Sequence, residues 1–301
     1  MNIPLFDAHC DTSWNMIRQG ESLRENNGHV DLKRAGRYAP YAQIFAIFQL
    51  RGTYQDYLLQ REHLAKEFSE NRDRISLCTS AGEAEAAFSQ GKSAAFLSVE
   101  GAELLDCSEA LLAKARADGV RLVNLTWNYE NALSGSNAQG NTHGLTDRGR
   151  SFVKKCGELG VYVDVSHISE PAFWDVAECS AVPIVASHSN SAAICPHPRN
   201  LTDAQFKAIV RSGGVAGINL YAPFVGENPE VGDVIEHILH FCSLGGEKNI
   251  AIGADLDGCD TLPRGINGIQ DMEKLYEQLL KMNVKESLVQ DIFFHNLMRL
   301  F

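Results

Sequence analysis

Eight short apolar, β-branched runs recur along this chain, with amphipathic segments lying between them. The runs cover residues 3–9, 42–50, 93–99, 121–125, 161–165, 183–187, 214–219 and 250–253. Short runs that are apolar at consecutive positions suit strands buried on both faces of a parallel sheet. Residues 54–69, 80–90, 108–118, 146–159, 171–178, 202–212 and 232–244 carry helical spacing, and 271–282 and 285–298 add two helices at the end. Local signals support several limits. Thr146 precedes its helix with Gly160 beyond the far end, and Leu201-Thr202-Asp203-Ala204-Gln205 reads as an N-cap with acid in the first turn. Eight strands with helices between them are the count of a (β/α)8 barrel, a fold that commonly fills 301 residues as one domain.

The ends of these runs carry metal-capable side chains. His9 and Asp11 close the first, Glu100 the third, His167 the fifth, His188 the sixth and Asp255 the eighth. Barrel sites are built at the C-terminal ends of strands, whereas an open doubly wound sheet gathers its ligands at one switch point. Ligands from five strands therefore favour the barrel, with residues 1–301 as a single catalytic domain. Taken singly, each residue has a plainer reading. Asp11 suits a helix cap, Glu100 and Asp255 suit turns, and His167 and His188 suit satisfied core histidines. Taken together they predict a two-metal site. Imidazoles and carboxylates without thiolates favour zinc or a similar divalent ion in hydrolysis, and one carboxylate can bridge two ions roughly 3.5 Å apart.

Charge and composition narrow the partners. A formal charge of −11 without a basic cluster argues against nucleic acid. No stretch reaches the roughly 18 apolar residues of a membrane span. The N-terminus meets Asp7 before a signal-length apolar region forms, and the eight cysteines contain no C-x-x-C pair. The expectation is a cytoplasmic protein with reduced thiols. Residues 128–145, rich in Asn, Gly and Ser, form a loop able to cover the rim.

Six stretches, in this order and spacing, resemble the membrane (renal) dipeptidase family of binuclear zinc dipeptidases. They are Asp7-Ala8-His9-Cys10-Asp11, Val99-Glu100-Gly101, Asp164-Val165-Ser166-His167-Ile168-Ser169, Ser187-His188-Ser189, Pro198-Arg199-Asn200 and Gly253-Ala254-Asp255-Leu256-Asp257-Gly258. The closing Asn296-Leu297-Met298-Arg299-Leu300-Phe301 extends the similarity to the end. The resemblance implies a (β/α)8 barrel and two zinc ions per chain, one on His9 and Asp11, the other on His167 and His188, with Glu100 bridging. It implies attack by a hydroxide shared between the ions, with Asp255 as the catalytic carboxylate that carries the proton. It makes Arg199 the partner of a dipeptide's free C-terminal carboxylate, for which a planar guanidinium is suited. It also implies a homodimer.

The sequence departs from the family in places. Trp127 stands where several members place a histidine that contacts the oxyanion. An indole offers one N–H or a wall of the pocket, so His143 and His197 become alternative donors. Cys10 and Ala102 replace Asn and Gly without removing a ligand, and Cys10 is expected in the core. His29, His63, His237, His240 and His295 carry no site signal. Two rival readings remain: another binuclear amidohydrolase acting on N-acyl amino acids or cyclic amides, and a non-catalytic metal-binding barrel. Against the first, no Lys follows a central strand in the place of a carbamylated bridge.

Overall fold

The computed structural model describes residues 3–138 and 142–301; residues 139–141 of the expected rim loop lie outside the described residues. Among the described residues nine parallel strands form: β1 Ile3–Cys10, β2 Tyr38–Phe48, β3 Ile75–Leu77, β4 Ser93–Glu100, β5 Val120–Asn124, β6 Tyr162–Asp164, β7 Val185–Ala186, β8 Val215–Ile218 and β9 Ile250–Ile252. They run β2-β1-β9-β8-β7-β6-β5-β4, and β2 pairs with β4 from Ala42↔Ala94 to Phe48↔Glu100, closing the ring. This is the eight-stranded (β/α)8 barrel expected. The extra strand, β3, pairs only with Ser93–Ala95 at the start of β4, whose same edge β5 takes up from Leu97 onward. Three residues are too few to give a periodic signal.

Alternation along the strands separates two cores. Leu97 and Val99 of β4 and Phe45 and Ile47 of β2 face outward into the layer beneath the helices. Phe6, Ala8, Ala42, Ile44, Ala94, Phe96, Leu122, Val215 and Ala251 fill the barrel. Its N-terminal end is plugged by the chain's last residues: the Phe301 ring lies 4.4 Å from Phe96 and 5.6 Å from Phe6. The same parity carries upward through Phe96 and Ser98 to Glu100, which therefore points into the barrel mouth. In β1 the register slips between Asp7 and Cys10. That bulge lets His9 follow Ala8 toward the interior, while Cys10 packs in the outer core as expected.

The helices begin and end where their caps dictate. Thr146 accepts from Gly149 N–H before Asp147–Leu159, and Gly160 ends that helix at φ 64°. Thr202 and Gln205 form a reciprocal capping box at Asp203–Ser212. Short helices such as Thr12–Gln19 and Ala222–Val225 were not legible as periodic segments, yet both face the site. The final expected helix is instead Glu286–Gln290, a π-helical turn Asp291–His295, and Asn296–Met298. No helix among the described residues is long and apolar enough to cross a membrane.

Candidate metal centre

Five strand ends converge as the sequence predicted. Glu100 occupies the middle. Its Oε1 lies 3.0 Å from His167 Nε2 and 3.5 Å from His188 Nε2, while its Oε2 lies 3.6 Å from His9 Nε2. Oε1 thus faces His167 and His188, and Oε2 faces His9. Asp11 Oδ2 and Asp255 Oδ1 approach the His9 side, at 3.7 Å and 3.9 Å from Nε2. His9, Glu100 and His188 form one compact donor cluster, and His9, Asp11 and Asp255 another. His9, Asp11, Glu100, His167 and His188 are all buried.

These residues fit divalent ions better than they fit one another. His167 Nδ1 is 2.8 Å from Asn128 Oδ1, and His188 Nδ1 is 2.7 Å from Ser187 Oγ. With Nδ1–H donating to Asn128, the free lone pair of His167 is on Nε2, which lies 2.9 Å from His188 Nε2. Two such nitrogens at that separation call for a proton or a cation. Burial, with the positive charge of Arg199 and of His9 nearby, holds both rings well below the ordinary histidine value, so they stay neutral as ligands must. His9 Nε2 and Asp11 Oδ1 have no hydrogen-bond partner among the described residues. Asp11 makes no side-chain cap to the helix that follows it, so the plain capping role is not the one it fills.

Crowded carboxylates give the site its electrostatics. Burial pushes Glu100 up to about 8, helped by Asp11 and opposed by His9. Burial likewise raises Asp255 to about 6. His9 moves the other way: burial disfavours its charge, but Glu100 and Asp11 outweigh this and raise it well above its ordinary value. Backbone strain is concentrated here too. His167, Asp255 and Asp257 have φ of 72°, 58° and 67°, a left-handed region that non-glycine residues occupy uncommonly. Gly258 is dictated by space, because a Cβ there would strike Asp11 Oδ2 and Asp255 Oδ1.

Several supporting residues had no role assigned from the sequence, although Asp7 and Asp164 open two of the quoted stretches. Asn219, at the end of the seventh predicted run, donates from Nδ2 to Asp255 Oδ2 at 3.0 Å and accepts the Tyr221 N–H at 2.5 Å. Asp7 Oδ1 accepts the Ala254 N–H at 2.8 Å, tying β1 to the strand-end carrying Asp255. Asp164 Oδ1 does the same for Ser166 and Ser187, at 2.9 and 3.0 Å, beside His167 and His188. His29, read as a plain loop residue, accepts the Asp257 N–H at 3.0 Å, while Asp257 Oδ1 accepts the His29 N–H at 2.6 Å. These bonds hold the strained Asp255–Asp257 turn. No residue pattern announces such long-range pairs.

Arg199 and the ligand cluster share a cleft of about 320 Å³ that Trp127, Tyr221 and Phe224 also line. Arg199 is 6% exposed, and its guanidinium Nε, Nη1 and Nη2 are buried with no hydrogen-bond partner among the described residues. It lies 5.3 Å over the Phe224 ring. Burial lowers its pKa, while the Asp255 and Glu100 carboxylates work to restore it. Trp127 stands as a wall, its ring 5.0 Å from Phe48 and 6.1 Å from His167. The two alternative oxyanion donors do not line this cleft. His143 is 71% exposed in its side chain and pairs with Glu130 at 3.4 Å. His197 accepts the Arg199 backbone N–H at 3.2 Å and packs on Phe224.

Comparison with known proteins agrees with this geometry. A protein of the pqqA 5′ region of Klebsiella pneumoniae is 32% identical over 258 residues, covering 81% of this chain and 94% of its own length. A metallo peptidase from Rhodobacter sphaeroides, solved with a phosphinate mimic of the dipeptide L-Ala-D-Ala, superposes with a TM-score of 0.90 at 27% identity, over 100% of this chain and 99% of its own. The dipeptidase AC, also a metallo peptidase, superposes at 0.89 with 28% identity, over 100% and 98%. The profile of the membrane dipeptidase family, peptidase family M19, matches residues 1–301. This chain belongs to the membrane dipeptidase family, peptidase family M19.

Proposed function

We propose that this chain is a zinc-dependent dipeptidase that hydrolyses dipeptides with a free C-terminal carboxylate, within one catalytic domain spanning residues 1–301. The observation that carries the reading is Arg199: a buried guanidinium without a hydrogen-bond partner among the described residues, facing the same cleft as the ligand cluster. Left unpaired, a buried charge is costly, and a bidentate carboxylate removes that cost. His9 and Asp11 would hold one ion, His167 and His188 the other, and Glu100 would bridge them. Two divalent ions held there would supply Lewis acidity to a water molecule and to a peptide carbonyl. Arg199 fixes one end of the substrate, so the peptide bond rests over Glu100. Asp255, held through Oδ2 by Asn219 and raised by burial to about 6, is poised to take a proton and return it to the departing amine. Cytoplasmic residence and a homodimer belong to the same reading, and all eight cysteines are free thiols, as reduced conditions require.

Elemental analysis and a substrate panel test this together. The expected result is about two zinc ions per chain, more than one tetrahedral site with an open position needs. Glu100→Gln should lower occupancy of both positions, because its two oxygens face different histidines. One ion per chain, unaffected by that change, would sink the binuclear site. Turnover of N-acyl amino acids but not of dipeptides would put the amidohydrolase reading in its place, since both substrates offer Arg199 a carboxylate.

A further inference from the structure

The cleft has two unlike sides. Arg199, from the segment after β7, sits with Phe224 and Tyr221 on one of them. Trp14, Phe48, Leu50 and Trp127 form the other. Phe48 is the last residue of β2, and Leu50 follows two positions later. In the closed ring β2 lies four strands from β7 in either direction, the position diametrically opposite. The ligand cluster lies between, on β1, β4 and the ends of β6 and β7.

That second side is a built wall. The Trp127 ring lies 5.0 Å from Phe48, and the Trp14 ring meets Phe48 edge-on at 5.9 Å. The Trp14 Nε1–H donates to Gln49 Oε1 at 3.0 Å, which fixes the indole and leaves its apolar face to the cleft. Arg18 lies over Trp14 at 4.2 Å and so covers one end of the wall. Leu50 remains 47% exposed, a large apolar side chain in the cleft lining with nearly half of its surface still open to contact. Aromatic surfaces that are held in place reward apolar contact at small entropic cost, and ring-on-ring contact adds to simple burial.

The geometry points to a preference for dipeptides whose N-terminal residue has a large apolar side chain, aromatic above all, packed against Trp14, Phe48, Leu50 and Trp127. The inference rests on the dipeptidase reading, because that reading sets the substrate's direction. With its carboxylate on Arg199 and its peptide bond over the ligand cluster, a dipeptide extends its first residue toward β2. The C-terminal side chain stays on the Arg199 side, away from the wall. Selectivity thus falls on the first residue and not the second.

Zinc-loaded full-length protein is assayed for kcat/KM on X-Ala dipeptides, with X as Gly, Ala, Leu, Phe, Lys or Glu, and on Ala-X counterparts. Phe-Ala and Leu-Ala should exceed Ala-Ala by about 10- to 100-fold, the scale of apolar discrimination in a pocket. Ala-Phe should differ far less from Ala-Ala. Leu50→Ala and Phe48→Ala should each shrink the Phe-Ala to Ala-Ala ratio several-fold, and Leu50→Glu should raise Lys-Ala relative to Phe-Ala. Leu50 is exposed enough that its variants test the wall even if Phe48→Ala fails to fold. Turnover that is flat across X, a preference confined to the second residue, or a ratio unmoved in the Leu50 variants overturns the assignment while leaving the dipeptidase reading intact. Absence of any peptide turnover beside hydrolysis of N-acyl amino acids removes that reading, and this inference with it.

Discussion

At the scale of single residues, the proposed function predicts that Arg199 and Asp255 divide binding from chemistry. Asp255→Asn keeps the shape and the bond from Asn219 but cannot take up a proton, so kcat should fall by about 10²- to 10⁴-fold. Zinc content should be retained, because His9, Asp11 and Glu100 remain. Steady-state kinetics with parallel metal analysis checks both halves, and loss of an ion would instead make Asp255 a ligand. Arg199→Met removes the carboxylate's partner and should act chiefly on KM. It should also narrow the advantage of free over C-amidated dipeptides; equal turnover of the two by the unaltered protein would contradict a carboxylate role. All seven predicted site residues meet in one region of the structure; six could be foreseen from a linear pattern because each follows an apolar run, whereas Arg199 came from the family resemblance alone. Asn219, Asn128 and His29 could not be foreseen that way. Their roles come from partners 36, 39 and 228 positions away.

Turns and strand ends control the geometry at the scale of elements. The segment after β9 packs Asp255, Asp257 and Gly258 against β1 so closely that Gly258→Ala would force its methyl group into two site carboxylates. That variant should fold, as judged by circular dichroism, yet bind zinc more weakly and lose most activity. Unchanged zinc affinity would mean the turn relaxes freely. The opposite end of the barrel carries stability and not chemistry. Phe96, fully buried between Phe6 and Phe301, seals the interior beneath the site. Phe96→Ala should cost about 3–5 kcal/mol, measured by urea unfolding of the zinc-loaded protein. The helices at Thr12–Gln19 and Ala222–Val225 escaped the sequence reading because one or two turns give too few repeats for periodicity. Tertiary packing, not propensity, holds such short helices.

For the molecule as a whole, folding and metal binding are linked through protons. In the metal-free protein Glu100 titrates near 8 and His9 well above its ordinary value. Both are raised, so the stability they contribute is present at low pH and is lost as pH rises through those values. His167 and His188 are depressed, and their contribution is complete above about 6.5 and lost below it. Between about pH 6.5 and 8 only the first effect changes, so the Tm of chelator-treated protein should fall across that interval. Zinc should reverse the trend, because an ion takes the proton's place on Glu100 and binds more tightly as pH rises. Thermal unfolding with and without zinc checks this, and a metal-free Tm that climbs over the interval would contradict it. The sequence by itself determined the barrel and the meeting of its candidate ligands at one rim: strands buried on both faces must be apolar throughout, so a His, Asp or Glu ending one stands out, and parallel topology carries every such end to one rim. Only the tertiary structure decided how Glu100 divides its oxygens, which amides and carboxylates hold the candidate ligands, and which side of the cleft carries Trp14, Phe48, Leu50 and Trp127. Those depend on distances between residues far apart in the chain, and local pattern contains no term for them.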